Sequence, residues 1–288
     1  MIYLRNIRKK IIVKIIQLNE FVKLHDGKKI FYSKYEHLSE ACGDIEKKGT
    51  DAVLIVGGSD RCIYNHHLDI VPKNVKKAFF LNCHIDRDLW GDFVVPIPLG
   101  IEITETVRLG PHAWCQGFPE GLEKKEILSK APTAVPNNLL YANFRLRTNP
   151  IHRAQIMEIA MKAPHITWRQ PYGESDYQRY NAGDPYISFV NEILDHEAVV
   201  CAQGNDEGDN LRIYETLYLS RVPLTFNPKM YENLHSLFPT VLINDPSQLY
   251  DKSYLKHEIN LAKNRMAASK KYLDFDYWKE MILEAGRL

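Results

Sequence analysis

No apolar run in this sequence is long enough to cross a bilayer. Ile11-Ile12-Val13 and Ile15-Ile16 are split by Lys14 and preceded by Lys9 and Lys10, whereas a spanning helix needs about 20 mostly apolar residues. No small-residue cleavage site follows, so the stretch lacks the form of a secretory leader. The expectation is a cytoplasmic chain with no transmembrane segment. Cysteine is sparse too. Cys42, Cys62, Cys83, Cys115 and Cys201 are odd in number, and no two are spaced C-x-x-C. That excludes a disulfide framework and argues against a zinc site, and leaves buried thiols in a reducing compartment. An excess of one charge is absent as well. Lys+Arg total 37 against 36 Asp+Glu, a net +1, so no global field recruits nucleic acid or anionic lipid. The first thirty residues hold eight Lys/Arg against Glu20 and Asp26. This reads as a solvated basic face, with weak membrane-surface attraction as the lesser alternative. Internal repeats and low-complexity segments are missing.

What is present is ordinary soluble composition, 45% hydrophobic and 25% charged. The 288 residues allow one large domain or two of usual size. Short apolar runs alternate with helix-like segments, the pattern of an α/β protein with mostly parallel sheets. Strands are expected at Ile30–Ser33, Ala52–Val56, Ala78–Leu81 and Phe93–Val95, with a helix over 36–48. Residues 96–138 are dense in Pro and Gly, which break periodic structure and place a boundary near 131–138. Beyond it, strands are expected at Leu139–Phe144, His165–Trp168, Ala198–Ala202, Val222–Phe226 and Val241–Ile243. Helices are expected at 150–162, 186–194 and 211–219. The stretch from Tyr254 to Leu288 reads as helical throughout.

Val199 to Phe226, VVCAQGNDEGDNLRIYETLYLSRVPLTF, reads as strand, glycine-containing loop, helix, strand. Ligands of open parallel sheets bind beyond the carboxyl ends of strands, where the loop Gln203–Asp209 lies. Gly204 and Gly208 permit close backbone approach and positive φ. Asp209 or Asn210 can cap the helix. Arg212 falls in the first helical turn, where the macrodipole already disfavours a cation. An anion docked on that turn would reconcile the two, because backbone N–H groups and the guanidinium can share phosphate oxygens. Glu215, three residues on along the same face, is placed to accept from ribose hydroxyls. The competing reading is an Arg212–Glu215 surface ion pair of negligible worth.

The pattern G-x₃-G-D-x-x-R-x-x-E-x-L-x-x-x-x-V-P, carried by Gly204, Gly208, Asp209, Arg212, Glu215, Leu217 and Val222-Pro223, resembles the donor-binding region of exostosin-like glycosyltransferases. The close match covers about 40 residues, and a weaker one most of the second half. The chain also resembles the short exostosin-related transferases of large chlorella viruses, among them a xylosyltransferase. The resemblance implies a GT-B-like α/β fold: two Rossmann-like domains facing across a cleft, with a C-terminal helix crossing back. The implied domains are 1–135 on the acceptor side, 136–270 for the nucleotide-sugar donor, and a terminal helix over 271–288 packing on the first. It further implies an inverting transferase that moves sugar by direct displacement from a UDP-sugar, UDP-xylose among them, to a glycan hydroxyl. A viral chain would work in the host cytoplasm.

On that resemblance, Arg145 and Arg153 reach the donor's diphosphate, each with an ordinary surface arginine as the alternative. Trp168 and Tyr172 stack on the base or pack in the core. No tightly bound cofactor and no metal are expected, since arginines and a helix N-terminus would stabilise the leaving diphosphate. Asp86-Arg87-Asp88 matches the metal-binding D-x-D only literally. His66, His67 and Asp69 cluster, but adjacent residues point apart. The acceptor's general base needs hydrogen-bond reach of a hydroxyl. Asp60, at a strand's carboxyl end after Gly57-Gly58-Ser59, is the first candidate, and His84 and Asp86 come next. Alternatives are a transferase using a GDP-sugar such as GDP-fucose and a catalytically silent glycan- or nucleotide-binding module. A dinucleotide enzyme is disfavoured, because Val56-Gly57-Gly58-Ser59 does not fit G-x-G-x-x-G.

Overall fold

The computed structural model describes residues 13–102, 107–109, 113–115, 119–170, 186–204 and 207–287, with backbone alone at 107–109, 113–115 and 119–123. The protein is α/β, built on two parallel Rossmann-like sheets. The first has β1 (Ile30–Lys34), β2 (Ala52–Gly57), β3 (Val75–Phe80) and β4 (Val94–Pro96) in that spatial order. Strand β2, AVLIVG, is buried at every position, as a strand covered on both faces must be. Short helix α1 (Leu18–Val22) precedes this sheet, and α2 (Leu38–Lys48) links β1 to β2.

A hairpin, β5 (Val107–Leu109) and β6 (Ala113–Cys115), and helix α3 (Pro119–Lys130) lead to the second sheet. Its strands are β7 (Asn138–Ala142), β8 (Ile166–Trp168), β9 (His196–Cys201), β10 (Val222–Thr225) and β11 (Val241–Leu242), in the order β11-β10-β9-β7-β8. Helices α4 (Pro150–Lys162), α5 (Tyr186–Leu194), α6 (Leu211–Tyr218) and α7 (Pro228–Asn233) fall between them, and α8 (Lys252–Ser269) and α9 (Phe275–Ala285) close the chain.

Strand order locates the ligand crevice. In the first sheet the described strands follow one another in sequence. In the second, the chain leaves β7 toward β8 on one side and returns to β9 on the other. The switch point therefore lies between β7 and β9, where the two connections part and open a gap above the sheet.

From residue 13 onward the N-terminal stretch keeps its basic side chains in solvent, with Lys23, Lys28 and Lys29 exposed, and buries its apolar ones, Ile15, Ile16, Leu18, Phe21 and Val22. Two expectations needed correction. The Pro- and Gly-rich stretch holds a hairpin and a 12-residue helix; among its described residues irregular backbone remains at 97–100 and 131–137, and Arg221 Nη2 donates to the Ala134 and Leu194 carbonyls. The terminal segment is not one helix. It breaks at Asp274, whose side chain accepts from Asp276 N–H and restarts the chain as α9. Helix α9 packs on the N-terminal segment: Phe275 N–H donates to the Lys14 carbonyl at 2.9 Å, and its ring meets Phe21 edge-on at 5.2 Å.

One buried apolar cluster runs through both halves, from Ile16, Ile55 and Phe79 to Tyr141, Phe189, Tyr214 and Trp278. Burial of shared apolar surface, at about 25 cal/mol per Å², thus joins the sheets. Among the described residues no helix is long and apolar enough to cross a membrane.

Candidate functional site

The carboxyl edges of the two sheets meet. Past β3, Asn82 adopts a left-handed backbone (φ 49°) and accepts from Asp209 N–H at 2.7 Å. His84 Nε2 lies 3.1 Å from the Glu207 carbonyl, and Asn233 Nδ2 donates to the carbonyls of Cys83 and Ile85. The positive φ in the glycine loop belongs to Glu207 (φ 56°), not to Gly204 or Gly208. Gly208 serves close approach: a Cβ there would lie 3.1 Å from the Asn82 amide. Nothing within 4 Å would meet a Cβ on Gly204.

Asn210 is the cap of α6. Its Oδ1 accepts from Arg212 N–H at 2.9 Å and its Nδ2 donates to the Ala202 carbonyl. Asp209 does other work. Its side chain is 0% exposed and accepts from Leu99 N–H, Asn210 N–H, the Tyr214 hydroxyl and His235 Nε2. Since Leu99 follows β4 of the first sheet, this carboxylate ties the two edges together.

Arg212 sits at the switch point. Its Nε donates to Glu215 Oε2 at 3.0 Å, its Nη1 to the Asn143 carbonyl beyond β7 at 2.9 Å, and its guanidinium lies 4.1 Å above the Phe189 ring. A guanidinium has five N–H donors. Its Nη2 pair meets no acceptor among the described residues, and the side chain stays 17% exposed. The pair with Glu215 is therefore no surface pair: the Glu215 side chain is 4% exposed.

Glu215 is held by more than Arg212. Its Oε1 lies 3.1 Å from Lys124 Nζ and accepts from the Tyr186 hydroxyl at 3.0 Å. Lys124 also binds Glu102 Oε1. Burial pushes the Glu215 carboxyl up, but Lys124 and then Arg212 outweigh it and hold it below the usual glutamate range. Both oxygens are engaged by protein donors, so in this structure Glu215 anchors Arg212.

Arg153 is turned to the backbone. It donates to the carbonyls of Gln203, Arg145 and Ala202 and to Thr148 Oγ1. It thereby clamps the loops after β7 and β9, the two lips of the switch point. Burial, then the nearby Arg212, lowers its pKa to about 10. Arg145 is half-buried on the first of these loops. Trp168, at the end of β8, packs edge-on against Phe144 at 5.0 Å and joins the second core. Tyr172 lies outside the described residues.

Of the base candidates, Asp60 is exposed on the loop after β2. His84 is buried against Tyr64 and the Glu207 carbonyl. Asp86 is exposed and bound to Lys229 Nζ and Asn65 Nδ2, both at 2.6 Å; Lys229 first, then Asn65, lowers its pKa. His67 Nε2 is 3.0 Å from the Tyr35 hydroxyl, and His66 lies beside it. Among the described residues no group of three or more His, Cys, Asp or Glu is placed to hold a metal ion.

Sequence reasoning missed Lys124, Glu102, Tyr186, Asn143 and Asn82. All lie at least 22 residues from their partners, beyond any helical spacing; only an i, i+3 pair such as Arg212 and Glu215 is visible locally.

No protein-family model matches the chain, and no curated protein matches it. Two solved bacterial structures are similar to it in outline. One is an alpha,alpha-trehalose-phosphate synthase (UDP-forming) from Burkholderia vietnamiensis, 12% identical, covering 93% of this chain and 73% of that one at a TM-score of 0.47. The other is an alpha,alpha-trehalose 6-phosphate synthase from Burkholderia multivorans, 11% identical with the same coverage of 93% and 73%, at a TM-score of 0.49. Likeness of this degree assigns neither substrate nor reaction.

Proposed function

We propose that the protein is a glycosyltransferase of GT-B architecture, with a nucleoside-diphosphate sugar held at the switch point of the second sheet and a glycan acceptor held against the first. One observation carries the reading. Arg212 stands where open parallel sheets take ligands, fixed by Glu215, Asn143 and Phe189, with Nη2 left for an anion. The capped N-terminus of α6 supplies partial positive charge beside it. The donor-region sequence pattern favours the same assignment.

In this account Arg212, with Arg145 from the opposite lip, holds the diphosphate. Arg153 keeps the two lips in place, and Glu215 sets the Arg212 plane. Asp60 removes the proton from the acceptor hydroxyl. The oxygen attacks the anomeric carbon, the bond from that carbon to the β-phosphate oxygen breaks, and the electron pair leaves with the nucleoside diphosphate. The arginines stabilise the developing charge, and the configuration inverts. UDP is the favoured nucleotide on the sequence pattern, with xylose as the first sugar to try and GDP-fucose as the main rival. A thermal-shift panel of UDP-, GDP-, ADP- and CMP-sugars identifies the base, since a ligand that binds only the folded state raises its stability. Arg212→Ala is expected to abolish the shift, and Asp60→Asn to keep it while losing transfer. An unchanged shift in Arg212→Ala would remove the site.

A second reading, a silent glycan- or nucleotide-binding module, is favoured by one feature. The charges of Arg212, Lys124, Glu215 and Glu102 already balance without a ligand. Release of free nucleotide from a sugar donor would exclude it.

A further inference from the structure

Two of the four charges in the cluster of Arg212, Glu215, Lys124 and Glu102 come from outside the second sheet. Lys124 belongs to α3, and Glu102 follows the first sheet. They are linked to Arg212 through Glu215: Lys124 bridges Glu102 and Glu215 Oε1, while Arg212 holds Oε2. Glu102 Oε2 is buried and has no partner among the described residues. It is a negative charge that the fold only half uses. Glu102 also receives nothing from Arg212; Lys124 is its one cation among the described ion pairs.

We propose that Lys124 and Glu102 are positioning residues that set the net charge which the donor's diphosphate meets at Arg212. The inference rests on the donor reading above. As built, the two cations and two anions of this linked cluster sum to zero, and Arg153 beside Arg212 adds one positive charge. Without Lys124, Arg212 faces Glu215 and Glu102 together and the cluster falls to −1, which weakens its attraction for a diphosphate. Without the Glu102 charge the cluster rises to +1, which strengthens it. In a poorly solvated site such charges act over several ångströms with little screening. Lys124 thus lets Glu215 hold Arg212 in place without spending its charge.

The test is calorimetric titration of the full chain with UDP and, separately, uridine, which lacks the phosphates. Lys124→Met should weaken UDP binding about tenfold, or 1.4 kcal/mol, and leave uridine unchanged. Glu102→Gln should strengthen UDP several-fold, again without touching uridine. The double variant Lys124→Met/Glu102→Gln returns the sum to zero and should bind UDP within about twofold of wild type. It also guards against misfolding of the single lysine variant. UDP affinity unmoved in both single variants, or UDP and uridine moving in parallel, overturns the proposal while leaving Arg212 as the anion site. Wild-type protein that binds neither UDP nor GDP overturns the donor reading and this inference with it.

Discussion

Asp209→Asn measures how firmly the two sheet edges are joined. The native carboxylate accepts four hydrogen bonds with its side chain fully buried, two at Oδ1 from Asn210 N–H and His235 Nε2, and two at Oδ2 from Leu99 N–H and the Tyr214 hydroxyl. The amide keeps one oxygen and offers N–H at the other position. Oriented to satisfy Asn210 and His235, it leaves Tyr214 free to turn its hydroxyl and accept, but opposes the Leu99 N–H with another donor. One buried backbone donor is then orphaned, at about 1–3 kcal/mol, and charge assistance is lost from the remaining bonds. The expected destabilisation is about 2–3 kcal/mol for Asn and about 3–5 kcal/mol for Ala, which removes every acceptor. Against a total of about 5–15 kcal/mol these are large fractions. Urea unfolding followed by circular dichroism reads them. A change within about 0.5 kcal/mol for Asn, the size of an ordinary surface substitution, would refute the bridging role.

Gly100→Ala should destabilise by more than about 2 kcal/mol in the same assay, because φ is +76° and the new Cβ would sit 2.2 Å from the Ile16 carbonyl oxygen. Native protein treated with a thiol reagent at pH 8 should be modified at no site other than Cys115. Cys42, Cys62, Cys83 and Cys201 are buried, and burial raises Cys42 to about 11 and Cys83 and Cys201 to about 12; fast labelling of Cys201 would contradict the packing. Glu215 has a folded-state pKa below its unfolded one. Its contribution is therefore complete above the unfolded value of about 4.3 and is lost as pH falls from there through the lower folded value. Glu215→Gln should flatten the acid limb of the stability profile in that window, and an unaltered limb would count against the buried cluster.

The second half of the fold is legible in the sequence because its strands are short β-branched runs between well-marked helices. Pro150 opens α4 at N1, and apolar spacing marks α5, although its buried face is Tyr186, Phe189, Val190, Ile193 and Leu194 and leaves Ile187, which the spacing with Val190 and Leu194 puts on one face, exposed. The hairpin and α3 are hidden by their Pro and Gly content, since α3 itself begins at Pro119 and holds Gly121. The break between α8 and α9 has a local signal, Asp274 as a cap two residues before Asp276, which the apolar periodicity on either side masks. At the site, Arg212 and Glu215 are readable as an i, i+3 pair. Their setting is not. Nothing in one strand's sequence shows that Asp209 turns inward to hold Leu99, that Arg153 gives its donors to two loops, or that Lys124 reaches in from α3. Such contacts depend on topology, which alone places the lips of β7 and β9 together.

A crystal grown with UDP gives the most direct view of where the anion lands. The account predicts phosphate oxygens within hydrogen-bond distance of Arg212 Nη2, lodged between residues 143–149 and 207–210. Nucleotide bound at the first sheet instead, with the Arg212 edge still facing solvent, would contradict it.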